Sequence, residues 1–448
     1  MKYKITSLLL FICLLGFTAE PLQEIKVHLD TESTLSPIYL SHIDPSSSSL
    51  PANYLKELEK VLSFNFNYNG KTKVALRTTD KETALLAMGN KATNLKSLDS
   101  PFAVFFSIKE KKLHCKVYNL LKGQANPFPE IALTGSLAQD RQELHKLSDA
   151  IFNLLFQESG ICHSRMLYSY QQTRSDQDNS WHSEIIECDW DGENVKTVTK
   201  EKSYCVTPVL IPKGNGLNKE MFLYVSYKTG QPKIFIASLD DGKGKKVVDI
   251  RGNQMLPTIS KNRDKIAFIC DASGRADLFV QSIQPEIGRT GIPKQLFSYP
   301  KSTQGSPTFS PDGSKVAFVS DKDGAPRIYW ISSEVTSKRG IAHLITKKSR
   351  ESSCPSWSPD GTKLAYSAKT NGIRQIWTYT FSTAEEKQLT YGPGNKENPS
   401  WATNSLHLVF NSTDNNSSDL YVVNLNQPDA MKITKGQGKK HYPTWGPR

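Results

Sequence analysis

The sequence predicts a multidomain chain, with an N-terminal α/β domain followed by a six-bladed β-propeller of four antiparallel strands per blade. Three observations carry that prediction. Prolines stand at Pro208, Pro257, Pro307, Pro355, Pro399 and Pro443, spaced by about 44 to 50 residues, the period expected of propeller blades. Two positions after each lies a large apolar residue: Leu210, Ile259, Phe309, Trp357, Trp401 and Trp445. Within each period the chain falls into short β-branched and aromatic runs divided by turn residues. The clearest copy runs from Ser306 to Ile331, where Pro311-Asp312-Gly313 supplies type I turn chemistry. The run Lys315 to Ser320 after it is apolar on both faces, as a strand packed between neighbouring sheets must be. Ser358 to Gly361 repeats the full Ser-Pro-Asp-Gly turn. Ile211–Gly214, Ser260–Arg263 and Ala402–Ser405 hold the same place with altered residues.

At the start of the chain, residues 1–19 carry Lys2 and Lys4, an apolar run from Ile5 to Phe17, and then Thr18 and Ala19. A basic start, about a dozen apolar residues and a small-residue exit describe a secretory signal peptide. The run is shorter than the roughly 20 residues a membrane-spanning helix needs. No later stretch is long and apolar enough to cross a membrane, so an exported, soluble mature protein is expected. The net charge of +12 falls by two once Lys2 and Lys4 leave. Such an excess can mark nucleic-acid binding, but no such motif is present and an exported chain rarely meets nucleic acid. Of the seven cysteines, Cys13 goes with the leader. Cys115, Cys162, Cys188, Cys205, Cys270 and Cys354 show no repeated spacing, and buried free thiols are the expected state for most.

Residues 20–160 differ in pattern from the rest of the chain. Glu24 to Leu29 alternates as a strand does, and Ile38 to Leu50 is extended, ending in a serine-rich loop. Asn53 to Leu62 is helical, with Tyr54, Leu55, Leu58, Val61 and Leu62 on one stripe. Phe102 to Ile108 and Leu113 to Leu120 form a hairpin through a charged turn. Asp140 to Gln157 is a second helix, with Leu144, Leu147, Ile151, Leu154 and Leu155 inward. This alternation predicts a small α/β domain bounded near Glu158 to Gly160. The propeller, residues 161–448, then opens on Arg165 to Tyr170 with no proline-headed strand before it. His441 to Pro447 is such a strand with nothing after it. The two fragments complete one blade, closing a ring of six and removing the sheet edges that would otherwise pair with other chains.

A leader, an α/β domain of this size and a propeller with Ser-Pro-Asp-Gly repeats resemble the TolB family. The junction carries the likeness too, in Leu144 to Ile151 followed by Ser164 to Tyr168. The resemblance covers essentially the whole chain and implies a non-enzymatic periplasmic scaffold of the Tol–Pal system. It implies a propeller mouth holding Pal, the peptidoglycan-associated lipoprotein, and an N-terminal segment engaging the TolA periplasmic domain. It also implies a monomer peripheral to the outer membrane through Pal, supporting envelope integrity, constriction at cell division and protein import.

The residues themselves offer no catalytic centre. There is no G-x-S-x-G elbow, no H-E-x-x-H, no Walker loop and no paired cysteines for zinc. Asp189 to Glu193 and Asp321 to Gly324 faintly suggest a calcium loop. They lack its twelve-residue ligand series and read as hairpin turns. The aromatic markers read as core, and no cofactor or metal is expected. Independently of any family, the loops leading into the six inner strands converge on the propeller axis and build one composite surface on a rigid base. Its candidates are Tyr204, Arg251, Asn253, Gln304, Glu351, Ser353, Lys396, Glu397, His441 and Tyr442. The N-terminal segment, Glu20, Pro21, Leu22, Gln23, Glu24, Ile25 and Lys26, is a second candidate, able to switch between the body and a partner. The rival reading is an exported propeller hydrolase or peptidase-like protein.

Overall fold

A computed structural model describes residues 33–43, 48–88, 98–172, 182–214, 219–336, 340–348, 351–415 and 417–448. The leader, the strand expected at Glu24 to Leu29 and the segment Glu20 to Lys26 lie outside the described residues. The N-terminal α/β region is built on a mixed sheet. Ser36–Leu40 pairs in parallel with Thr72–Val74 and Phe102–Lys109. Phe102–Lys109 pairs antiparallel with Lys112–Asn119 across the expected tight turn.

Both expected helices form. Ala52–Tyr68 runs six residues beyond the sequence expectation, because Asn65 and Phe66 extend the buried stripe of Leu55, Leu58, Val61 and Leu62. Leu137–Phe156 begins three residues early. Its first turn is held by Asp140, whose carboxylate accepts from the backbone N–H of Thr134 at 2.9 Å and of Gly135 at 3.0 Å, and from the Tyr54 hydroxyl. The two helices cover one sheet face, closing a core around Leu58, Val104, Leu144 and Ile151. A third helix, Thr79–Leu86, lies against the other face over Tyr39, Ala103 and Tyr118. Its eight residues bury only Leu85, too little periodicity to stand out in the sequence.

From Cys205 onward the chain forms five successive antiparallel blades, opening on Cys205–Leu210, Gln254–Ile259, Gln304–Phe309, Ser352–Trp357 and Asn395–Trp401. The sixth joins both ends of the propeller. Lys439–Pro447 pairs with Ser164–Gln171, which continues to Ser183–Asp189 and Lys196–Thr197. In five blades one aromatic pair spans the second and third strands: Tyr224 opposite Phe235, Phe268 opposite Phe279, Phe318 opposite Tyr329, Tyr366 opposite Trp377, and Phe410 opposite Tyr421. Such pairs fix register by burying large rings between blades.

Each inner strand carries the same irregularity. Its register slips at the marker proline, and the residue before that proline has positive φ: Thr207 (49°), Leu256 (52°), Ser306 (41°), Cys354 (50°), Asn398 (54°) and Tyr442 (53°). The left-handed region costs a residue with a side chain about 1–2 kcal/mol. Six such residues persist because the bulge turns each inner strand through the axis. The proline N, lacking a hydrogen, needs no ladder partner there.

The α/β region docks on the propeller through turns at one end. His407 Nε2 donates to Tyr68 O at 2.8 Å, Asn426 Nδ2 to Gly70 O at 2.8 Å, and Gln427 Nε2 to Asn67 O at 2.9 Å. Trp190, fully buried, sets its ring edge-on to Phe64 at 4.9 Å. At the connection, Asp149 accepts from the backbone N–H groups of Cys162 and His163, both at 2.8 Å. A Cβ at Gly160 would run into that carboxylate, so the link requires glycine. All six cysteines from Cys115 onward are free thiols, five of them buried. Among the described residues, no helix is long and apolar enough to cross a membrane.

Candidate functional site

The first strand of each blade runs from one end of the axis to the other. Its leading loop and the second hairpin of the blade therefore meet at the end away from the docked α/β region. Paired carboxylates fix that rim. Asp271 receives the Asn253 backbone N–H at 2.6 Å and its side-chain amide at 2.8 Å. Asp321 does the same for Thr303, at 2.7 Å from the backbone and 3.0 Å from the hydroxyl. Each of these aspartates comes directly after a second strand, so a single repeated device pins the loops in front of two inner strands.

The rim carries two kinds of group. One is aromatic: Tyr204 lies edge-on to Tyr227 with centroids 5.5 Å apart, and Tyr204 and Tyr442 pack on the same apolar cluster. Burial raises the Tyr204 phenol above its ordinary range and pushes that of Tyr442 up to about 12, so both stay neutral donors. The other is polar and charged. Arg374 donates to Ser353 Oγ at 3.0 Å and pairs with Glu397 at 3.3 Å. Burial raises the Glu397 carboxyl and Arg374 opposes it. Glu351 pairs with Lys369 at 3.2 Å. Arg251 is exposed, with Nε donating to Ala272 O at 3.2 Å. His441 Nδ1 lies 3.4 Å from Ser418 Oγ, and burial, with Lys439 adding, lowers its pKa to about 4. It is neutral at pH 7.

Two of the ten candidates face the interior. Gln304 is buried, its amide donating to Ser302 Oγ at 3.0 Å. Lys396 is 6 % exposed and spends its ammonium on the carbonyls of Gly392, Pro393 and Gly394, at 3.3, 2.7 and 3.2 Å. Both lie three positions before a marker proline, where Gln254 and Ser352 are buried in the same way. They shape the loops and are not presented to a partner. Beneath the rim lies a throat of about 120 Å³, lined by the six left-handed residues and their prolines. Tyr227, Arg374, Asn398 and Cys354 belong to this surface and were not singled out in the sequence. Tyr227 and Arg374 come from the second hairpin of a blade; Asn398 and Cys354 were legible as residues preceding marker prolines.

The marker apolar residues form a separate ring lower down the axis, lining a cavity of about 390 Å³ at the opposite end. Trp401 Nε1 donates to Ser356 O at 3.0 Å and Trp445 Nε1 to Ser164 Oγ at 2.7 Å. The first bond ties adjacent blades together, and the second closes the blade shared by both ends of the propeller.

Fold and rim together define a six-bladed β-propeller protein with an N-terminal α/β region docked at the end opposite its mouth. Residues 152–448 match the family described as the TolB beta propeller domain. The Protein TolB homolog of Protochlamydia amoebophila (strain UWE25) is 46% identical over 396 residues, spanning 86% of this chain and 84% of that relative. The Protein TolB homolog of Chlamydia trachomatis serovar L2 is 35% identical over 391 residues, 87% of this chain and 84% of the relative. The crystal structure of TolB from Acinetobacter baumannii superposes with a TM-score of 0.72 at 19% identity, covering 93% of this chain and 98% of that one. This chain belongs to the TolB family.

Proposed function

We propose that this chain is a non-catalytic periplasmic scaffold of the Tol–Pal system, with residues 1–19 as signal peptide, 20–160 as the α/β domain and 161–448 as the propeller. It holds the peptidoglycan-associated lipoprotein at the propeller mouth and engages the TolA domain through Glu20 to Lys26. In that role it is monomeric, peripheral to the outer membrane through Pal, and supports envelope integrity and constriction at division. Membership of the TolB family supports the system. The observation that carries the mouth is that one rim combines neutral tyrosines, a tethered arginine–glutamate pair and an exposed arginine, on the end that the α/β region leaves uncovered. Rigid aromatic anchors beside a polar fringe are what a protein-binding surface requires. The interacting subset is Tyr204, Tyr227, Arg251, Asn253, Glu351, Ser353, Glu397, His441 and Tyr442, with Gln304 and Lys396 as internal supports.

The test is recovery of Pal from solubilised envelopes by the wild type and by a Tyr227→Ala/Arg251→Glu variant with unchanged circular dichroism. Loss only in the variant supports the mouth. Recovery by both moves the site elsewhere, and recovery by neither removes the Tol–Pal partner from the reading. Deleting Glu20 to Lys26 is expected to weaken TolA-domain binding, and unchanged affinity would refute that half.

A further inference from the structure

Three polar side chains meet inside the seam between the helix Leu137–Phe156 and the propeller. His145 is 1% exposed, Asp189 0% and Asp191 7%. Ligand atoms of all three lie within 4.8 Å of one another. Hydrogen bonding fixes the histidine tautomer. Trp190 Nε1 can only donate, and it does so to Asn65 Oδ1 at 3.1 Å. The same oxygen lies 3.1 Å from His145 Nδ1, so Nδ1 must carry the hydrogen. Nε2 is then left with a lone pair, and it has no hydrogen-bond partner although fully enclosed.

Two carboxylate oxygens lie near Nε2, Asp191 Oδ2 at 3.5 Å and Asp189 Oδ2 at 3.8 Å. These separations exceed the usual 2.7–3.2 Å of a hydrogen bond, so a proton on Nε2 would be poorly shared. They are close to the edge of a tetrahedron with metal–ligand bonds of about 2.0–2.2 Å, which is roughly 3.3–3.6 Å. Most of the other acceptor sites of the carboxylates are occupied. Asp189 Oδ1 accepts from Gln142 Nε2 at 2.6 Å and from Arg448, and its Oδ2 accepts from Asn194 Nδ2 at 2.7 Å. Asp191 Oδ2 accepts from Arg141, and its Oδ1 from the Glu193 backbone N–H at 3.2 Å. Each Oδ2 keeps one lone pair beside that of Nε2, and the three atoms lie within 4.8 Å of one another. These outer donors fix the orientation of both carboxylates, as hydrogen bonds behind metal ligands do.

We propose that His145 Nε2, Asp189 Oδ2 and Asp191 Oδ2 form a site for a divalent transition-metal ion, zinc first. The imidazole nitrogen selects against magnesium and calcium, which prefer oxygen throughout. The histidine comes from the α/β region and both aspartates from a propeller turn, so a bound ion fastens the two together. The inference stands independently of the partners proposed above.

Zinc titrated calorimetrically into chelator-stripped protein tests the site, with cobalt spectroscopy on the wild type as a second reading. One tight equivalent is expected, together with a rise in Tm. Cobalt should give the visible bands of a nitrogen–oxygen site with no thiolate charge transfer. His145→Asn keeps a donor to Asn65 but removes Nε2, and Asp191→Asn removes a charged ligand; each should abolish the equivalent. Absence of a tight equivalent in the wild type overturns the site. Thiolate bands would place the ion on the cysteines and do the same, as would binding unchanged in folded His145→Asn and Asp191→Asn variants. Should either variant fail to fold, the wild-type cobalt spectrum still decides.

Discussion

The two ends of the propeller are made by the same strands and are held in opposite ways. At the mouth, polar side chains are tethered to neighbouring loops and keep partial access to water. At the seam, Asn65, His145, Asp189, Asp191 and Trp190 are buried together, and the bonds of Asn65 to His145 and Trp190 and of Gln142 to Asp189 span elements far apart in sequence. A buried charge that loses its partner costs far more than an exposed one. The seam should therefore govern stability and the mouth recognition, with little crossover.

The hardest test removes Asp189. Asp189→Ala leaves Arg448, Gln142 and Asn194 without their shared acceptor, and should lower unfolding free energy by about 3–5 kcal/mol, measured by urea titration. Retention of wild-type stability would remove the distinction between the ends. Gly160→Ala attacks the seam through the backbone, by driving a methyl into Asp149. A loss of about 1–3 kcal/mol is expected, visible as a lower Tm.

Acid should load both ends through buried neutral histidines. Burial lowers His407 to about 4, with its bond to Tyr68 opposing, and burial lowers His441 to about 4. An unfolded histidine titrates near 6.5, so the unfolded chain binds more protons between those values. The resulting stability is complete above about pH 6.5 and is lost as the pH falls toward 4. His407→Gln, which keeps a donor for Tyr68 O, should flatten that part of the pH–stability curve. His441→Gln should flatten it less, since His441 is only partly enclosed. At the mouth, Arg251→Glu should change stability by no more than about 0.5 kcal/mol while weakening partner binding. A large stability loss there would show that the rim is structural.

Much of this architecture is legible because it is repeated. The proline, the large residue two places on and the turn after it recur often enough to mark each blade and the one split between distant segments. Single-copy features are harder to read. Asn65 and His145 lie 80 positions apart, and Asn65 and Trp190 lie 125 apart. Nothing local distinguishes them from surface residues. The acidic turn at Asp189 to Glu193 was visible as a turn, but its burial depends on a helix more than thirty residues upstream. Lys396 misleads for another reason. Its charge suggests solvent, yet the carbonyls of a tight Gly-Pro-Gly loop satisfy its ammonium inside the sheet. The rim was legible as a set of loops, while Arg374 and Tyr227 reach it from a hairpin that the proline pattern does not mark.

Trp445 and Ser164, joined by a hydrogen bond in the shared blade, are 281 positions apart. Every other blade can assemble from a local stretch of chain, whereas this one waits until the far segment arrives. A protein that crosses a membrane unfolded and N-terminus first would pass through an open, horseshoe-like intermediate. In it, the free edge of Ser164–Gln171 and the uncovered face of the fifth blade stay exposed longest. That edge is covered only when Lys439–Pro447 pairs with it, so ring closure is the most non-local step in forming the propeller.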